Sequence, residues 1–227
     1  MPTWMRDHHL AEDVEADLSR ADPLWPGQIA TLVALAIYFA LPTQLTIGPQ
    51  WPIPVTELLV LGALFVGARR GVGRSRRRLA AIALVCVAIT SNLIALGLLS
   101  HYLVAGGNTS GSQLIGGGAL IWTTNWLLFG VLYWELDRGG PLQPPGDHPP
   151  VAPDLLFPPM SDPDFAPPGW MPHFLDYLYV SLTNQTAFSP TDTMPMTPRA
   201  KIAMGLQGAA GLVTVGLILA RAVNLLV

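Results

Sequence analysis

The chain has 227 residues, of which 51% are apolar and 12% charged, about half of the roughly 25% charge usual in soluble domains. Mean hydropathy is +0.42. A net charge of -3 says little by itself, no nucleic-acid partner is expected, and a single cysteine, Cys86, excludes both an internal disulfide framework and a thiolate metal site. Composition therefore describes a protein solvated by lipid, not a soluble enzyme, with Cys86 inside an apolar run as a small core residue.

Residues 1–27 form an acidic tail carrying Asp7, Glu12, Asp13, Glu15 and Asp17. They lack the basic start and adjoining apolar stretch of a cleavable signal peptide, and His8 and His9 read as part of a solvated tail, with no metal expected. Crossing a bilayer core takes about 20 helical residues. Five stretches are read as spans: Gln28 to Ile47, Val55 to Ala68, Leu79 to Val104, Leu114 to Leu136 and Ile202 to Val227, of which the second is short and draws on its flanks. The fold class is thus an all-α polytopic membrane protein, with four of these helices in a region spanning 28–137.

Arg69, Arg70, Arg74, Arg76, Arg77 and Arg78 crowd the short loop between the second and third helices. Short cytoplasmic loops carry the excess of basic residues, which places this loop and the acidic tail inside the cell and the GGNTSGS turn outside. Residues 138–172 have proline at about one position in three. Such a segment cannot form a regular helix or a sheet interior, and it reads as an extended, exposed loop.

Residues 173–227 hold a sixth apolar segment and the last helix. The sixth, His173 to Ser189, is short, polar and bounded by proline, so it is either a re-entrant helix or a sixth span. Polar groups inside helices turn toward protein or water. Asn92 and Asn125 lie deepest and suit interhelical hydrogen bonds. Trp134 beside Glu135 and Tyr177 beside Asp176 suit anchoring at the membrane interface. Arg221 lies near the end of the last helix. In the six-span topology it comes to the same face as Glu135, Asp137 and Asp176, and an Asp176–Arg221 ion pair becomes available; a re-entrant helix puts the two at opposite faces. Gly205, Gly208 and Gly211 recur on one stripe and suit close helix approach.

The stretch Asp176 to Lys201, DYLYVSLTNQTAFSPTDTMPMTPRAK, resembles the pore module of the potassium-channel superfamily. Asp192, Pro195, Thr197 and Lys201 match its tail, and Thr186-Ala187-Phe188-Ser189-Pro190-Thr191-Asp192 stands where T-T-V-G-Y-G-D would stand. Filter glycines are replaced by Ser189 and Thr191, and Pro190 stands at the tyrosine, so potassium selectivity is not implied. A second likeness covers nearly the whole chain. The helix order, the basic loop, YWELDRGGP, the proline-rich linker and the run from Tyr177 to Asp192 are similar to a family of uncharacterised bacterial inner-membrane proteins.

These likenesses imply a multi-pass protein of a bacterial inner membrane, homo-oligomeric and channel-like. Its pore-like loop would present Thr183, Asn184, Thr186, Ser189, Pro190, Thr191 and Asp192 to a cation or small solute. The alternative is a non-conducting scaffold or accessory subunit whose proline-rich loop binds a partner. No nucleophile, base and orienter fall together, and no cofactor motif is present. The expected partner common to both is the lipid bilayer.

Overall fold

A computed structural model describes residues 24–46, 51–105, 111–141, 152–161, 164, 170–186 and 193–226. The described chain is all-α apart from one short strand pair. In order come α1 (Trp25–Ala40), a 3-10 turn (Thr43–Leu45), α2 (Pro52–Arg69), α3 (Arg74–Ala105) and α4 (Gly111–Leu136). A 3-10 turn (Asp137–Gly139), β1 (Leu155–Leu156), α5 (Pro158–Ser161), α6 (Phe174–Thr186), β2 (Met194–Pro195) and α7 (Pro198–Leu226) follow.

Proline sets several of these boundaries. α1 and α2 carry proline in their first turn, where the missing N–H costs nothing. Pro42 then stops α1 near Ala40, short of the Ile47 expected from hydropathy, and the chain turns through the 3-10 segment. α3 begins five residues earlier than its apolar run, because arginine is a good helix former and its long stem tolerates an interface.

Three helices, α3, α4 and α7, are long and apolar enough to cross a membrane. Of the five expected spans, α1 and the apolar part of α2 are shorter. Outward faces are apolar on α1, α2, α3, α6 and α7, with Ile29, Leu59, Val87, Leu175, Ile202 and Leu219 all exposed, whereas α4 is largely buried. Cys86 belongs to that outer surface, not to the core expected for it.

The core gathers around α4, which is packed by α1, α3, α6 and α7. At its C-terminal end the Arg78 side chain donates to the carbonyls of Glu135 (3.0 Å) and Leu136 (3.1 Å). Trp134 there packs over Gly27 at the start of α1. At the opposite end Gly117 faces Leu45 and Pro42, and Gly118 faces Leu99 of α3 and Ile218 of α7. α1, α3 and α7 therefore all run antiparallel to α4.

The proline-rich segment is not wholly extended. Its Leu155 and Leu156 pair antiparallel with Pro195 and Met194, and Pro158–Ser161 makes one helical turn. Leu155 and Phe157 are buried, and Phe157 sets its ring edge-on against Tyr177 and Trp170. Apolar residues between the prolines thus dock the segment on the bundle, an outcome that a proline count alone does not anticipate.

Candidate functional site

α6 has 13 residues, about 20 Å of helix, roughly half the length of the 26-residue α4 beside it. Its direction can be followed through its contacts. Tyr177, in its first turn, donates its hydroxyl to Asp137 just beyond α4 (2.7 Å). One turn on, the Trp126 indole donates to the Leu178 carbonyl (2.9 Å) and Ser181 donates to the Trp126 carbonyl (2.7 Å). Near its end, Gln185 donates to the Trp122 carbonyl (2.8 Å). α6 thus starts at the Leu136 end of α4 and stops half-way along it.

The chain is back at that same end by residue 194. β2 pairs with β1 there, Met196 donates its N–H to the Asp154 carbonyl (2.8 Å), and Arg199 in the first turn of α7 reaches the Leu136 carbonyl (3.5 Å). α6 and α7 therefore run parallel, both antiparallel to α4, and residues 187–193 link the inner end of one to the outer start of the other. Two glycines let α6 sit between its neighbours. A Cβ on Gly130 would lie 3.2 Å from the Leu178 Cα, and one on Gly211 would lie 3.1 Å from the Gln185 carbonyl oxygen.

Half-way along α4 the three helices are joined by neutral polar groups. Gln207 of α7 is fully buried and sits at the centre. Its carbonyl oxygen accepts from the Tyr133 hydroxyl (2.5 Å) and the Asn184 amide (2.9 Å), while its amide donates to the Ser181 hydroxyl (2.6 Å) and carbonyl (2.9 Å). Asn125 donates to Gln185 Oε1 (2.7 Å) and toward the backbone carbonyl of Gln207 (3.4 Å). Asn184 also donates to the Met204 carbonyl (2.9 Å). Amides suit this depth because each donates and accepts without carrying charge into a dry interior.

At the Leu136 end the joints are ionic. Asp137 and Asp154 are both buried. Asp137 accepts from the backbone N–H of Asp154 (2.6 Å) and Leu155 (3.2 Å) through one oxygen and from Tyr177 through the other. Asp154 takes a bidentate pair from Arg199, Nε and Nη2 each at 2.6 Å, and a short hydrogen bond from Thr197. Arg138, Gly139 and Gly140 turn the chain out of α4 with φ of 49°, 92° and 81°. The two glycines adopt that region freely; Arg138 is held in it by Asp137 (3.6 Å) and by contacts with the sulfurs of Met160 and Met171.

The expected site residues distribute unevenly. Ser189, Pro190, Thr191 and Asp192 lie outside the described residues, as does most of the acidic tail. Thr183 and Thr186 donate their hydroxyls back to carbonyls of α6 itself, and the Asn184 amide is committed to α7. Asn184 also borders a groove of about 400 Å³ lined by Pro195, Met204, Gly205, Gly208, Ala209 and Leu212. Asp176 caps α6, accepting from the His173 N–H (2.7 Å).

Two expectations are corrected. Asp176 stands at the Leu136 end, whereas Arg221 lies beyond Ile218 at the Gly118 end, so the two cannot pair. Trp134, Glu135 and Tyr177 are not surface anchors. Trp134 is packed against Phe174, Tyr177 serves Asp137, and Glu135 is buried with Arg78 bonded to its carbonyl. Of the glycine stripe, Gly211 alone makes a close contact, since Gly205 faces open space and Gly208 meets only the Asn184 carbonyl.

Reasoning from sequence missed Gln185, Ser181 and Tyr133 at depth and the Asp154–Arg199 pair at the end. A signal for Gln185 and Ser181 was present: with Tyr177 and Asn184 they fall at helical spacing on one face of α6, which is the face that is buried. No protein-family model, curated protein or solved structure matches this chain.

Proposed function

We propose that this chain is a multi-pass protein of a bacterial cytoplasmic membrane, with five spans and one re-entrant helix, that forms a channel-like pore as a homo-oligomer. The observation that carries this reading is the half-length α6 beginning at the same end of α4 as α7. Irregular backbone at membrane depth is tolerated where it is packed in protein or lines a wet cavity, and a helix that stops half-way creates such backbone. The family likeness and the potassium-channel-like tail, Asp192, Pro195, Thr197 and Lys201, fit the same arrangement.

α1 and α2 complete the five spans as a short pair over which the bilayer thins. Trp25 and Trp51, both more than half exposed, begin these two helices at opposite ends, as an aromatic belt at each interface would require. Arg78 lies at the end where α6 enters, so the basic loop makes that face cytoplasmic and the hairpin enters from within the cell. The C-terminal carbonyls of α6 bring the negative end of a helix dipole to mid-depth, and with Asp192 nearby in sequence this favours a cation over an anion. With side chains in place of filter glycines, the pore would not select potassium.

One observation favours a non-conducting scaffold instead. The limb after the loop is tied to the docked proline-rich segment by β1–β2 and Asp154, which suits a fixed structural turn. Single-cysteine variants at Gly107, Ser161 and Met194, in a Cys86→Ala background, separate the topologies by labelling with a membrane-impermeant reagent. Ser161 and Met194 are expected to label from the cytoplasm and Gly107 from outside; Met194 labelling from outside would remove the re-entrant helix. Planar-bilayer recording then tests conduction. A cation current altered by Asp192→Asn supports the pore, and silence after verified reconstitution supports the scaffold.

A further inference from the structure

Near the middle of α4 there are buried polar atoms that no group among the described residues satisfies. Asn92 and Asn125, 4% and 2% exposed, each leave a side-chain oxygen without a partner, and so does the Thr124 hydroxyl, 5% exposed. Buried polar groups are nearly always paired, so three in one place need an explanation.

The identity of the free atoms is fixed by their neighbours. Asn92 Nδ2 donates to the backbone carbonyl of Ile121 (3.2 Å), an acceptor only, so the other amide atom must be oxygen. Gln185 Nε2 is likewise fixed by the Trp122 carbonyl, which makes Gln185 Oε1 an acceptor and orients Asn125 with its Nδ2 toward it. The unpartnered atom of Asn125 is thus also its oxygen.

Thr124 stands apart from its own kind. Thr31, Thr56, Thr90, Thr123, Thr183, Thr186 and Thr214, the other threonines in the described α-helices, all donate to the carbonyl four residues back. Thr124, buried more deeply than most of them, forgoes that bond. The three residues share one stretch of the bundle: Ile121 O, to which Asn92 is bonded, is the carbonyl three residues before Thr124 and four before Asn125.

We propose that Asn92, Thr124 and Asn125 bind one internal water molecule. Two carbonyl oxygens need two donors and one hydroxyl needs one acceptor. A water supplies two O–H groups and a lone pair, and three bonds are about the usual number for a buried water. The donor set consists of three neutral oxygens, which would leave a bare cation without counter-charge in a dry interior, so water fits it better than sodium or potassium. The fourth free atom in this stretch, Trp122 Nε1, belongs to a residue about 160° around the helix from Thr124, beyond the reach of the same molecule. Through this water Asn92 of α3 joins the network of Asn125, Gln185 and Gln207, so polar contact runs without a break from α3 across α4 to α6 and α7. The site is independent of whether the protein conducts.

Thermal unfolding of the full-length protein in detergent tests the site through the sign of one substitution. Thr124→Val keeps the shape and deletes the hydroxyl. With a water bound, Tm falls by about 2–4 °C, Thr124→Ser restores most of it, and the loss shrinks in an Asn92→Leu background because the bridge is already broken. If the hydroxyl has no ligand, removing a stranded polar group leaves Tm unchanged or raises it, which overturns the proposal. Should Thr124→Val not accumulate, Thr124→Ser against Thr124→Ala carries the same contrast. A wild-type Tm raised by sodium or potassium at constant ionic strength, and not in Thr124→Val, would identify a cation and overturn water as the ligand. An experimental density map that resolves ordered waters is expected to show one peak between the three side chains; a clear void there would likewise refute the site.

Discussion

At the Leu136 end of the bundle, α6 and α7 are fastened to α4 by charges; half-way along, the same helices are fastened by amides. The two joints use similar numbers of groups but different chemistry, and depth explains the choice. Arg199 keeps half of its side chain in contact with solvent, 51% exposed, so its charge stays partly hydrated while its fork grips Asp154. Gln207 is 0% exposed and has no such recourse. A charge there would face a large desolvation penalty, whereas an amide satisfies two acceptors and two donors without one. The ionic joint also recruits the docked proline-rich segment, and the amide joint does not.

Replacing Gln207 should produce the larger effect. Gln207→Leu removes the acceptor of Tyr133 and Asn184 and the donor to Ser181, and each interhelical bond in a membrane protein is worth about 0.6–2 kcal/mol, so a loss of about 2–5 kcal/mol is expected. Asp154→Ala should cost less, about 2 kcal/mol, because the Arg199 it abandons returns to water. Unfolding titrations of both variants in mixed detergent measure the order. Raising the salt concentration should narrow the gap between wild type and Asp154→Ala while leaving the Gln207→Leu deficit in place, since screening reaches partly exposed charges and not buried amides. A larger deficit for Asp154→Ala would mean that the ionic end, not the buried middle, holds α6 and α7 to α4.

Much of the long-helix pattern was legible because hydropathy reads the segments that lipid solvates, and α3, α4 and α7 emerge from it with ends shifted by a few residues. The shorter α1 and α2 show the limit of that reading, since Pro42 ends α1 where composition continues apolar. Asn92 and Asn125 were legible as interhelical donors, because a lone amide in an apolar helix has few other uses. Trp134 and Tyr177 misled for a physical reason: amphipathic rings suit an interface and a polar-lined core equally, and sequence does not show which neighbour arrives. Asp154 and Arg199 are 45 residues apart, and only the return of the chain to one end brings them together. The parallel course of α6 and α7 rests on that same return, which no local pattern encodes.

The finest test of the comparison deletes one oxygen from each joint. Tyr133 and Tyr177 are both buried, both donate a single hydroxyl across helices, and both become phenylalanine with no change in ring packing. Tyr177 donates to the Asp137 carboxylate, and bonds to charged groups are worth about 1.5–3 kcal/mol, so Tyr177→Phe should cost more than Tyr133→Phe, whose neutral acceptor sets it at about 0.5–1.5 kcal/mol. The expected difference is about 1 kcal/mol, measurable by unfolding both variants side by side. Asp137 also accepts two backbone N–H groups, which shield it from the full loss and make this the smallest of the effects. If Tyr133→Phe proves the costlier, the amide joint is cooperative, each bond strengthened by the next, and the simple contrast between charge and amide gives way to one between a single strong contact and a connected network.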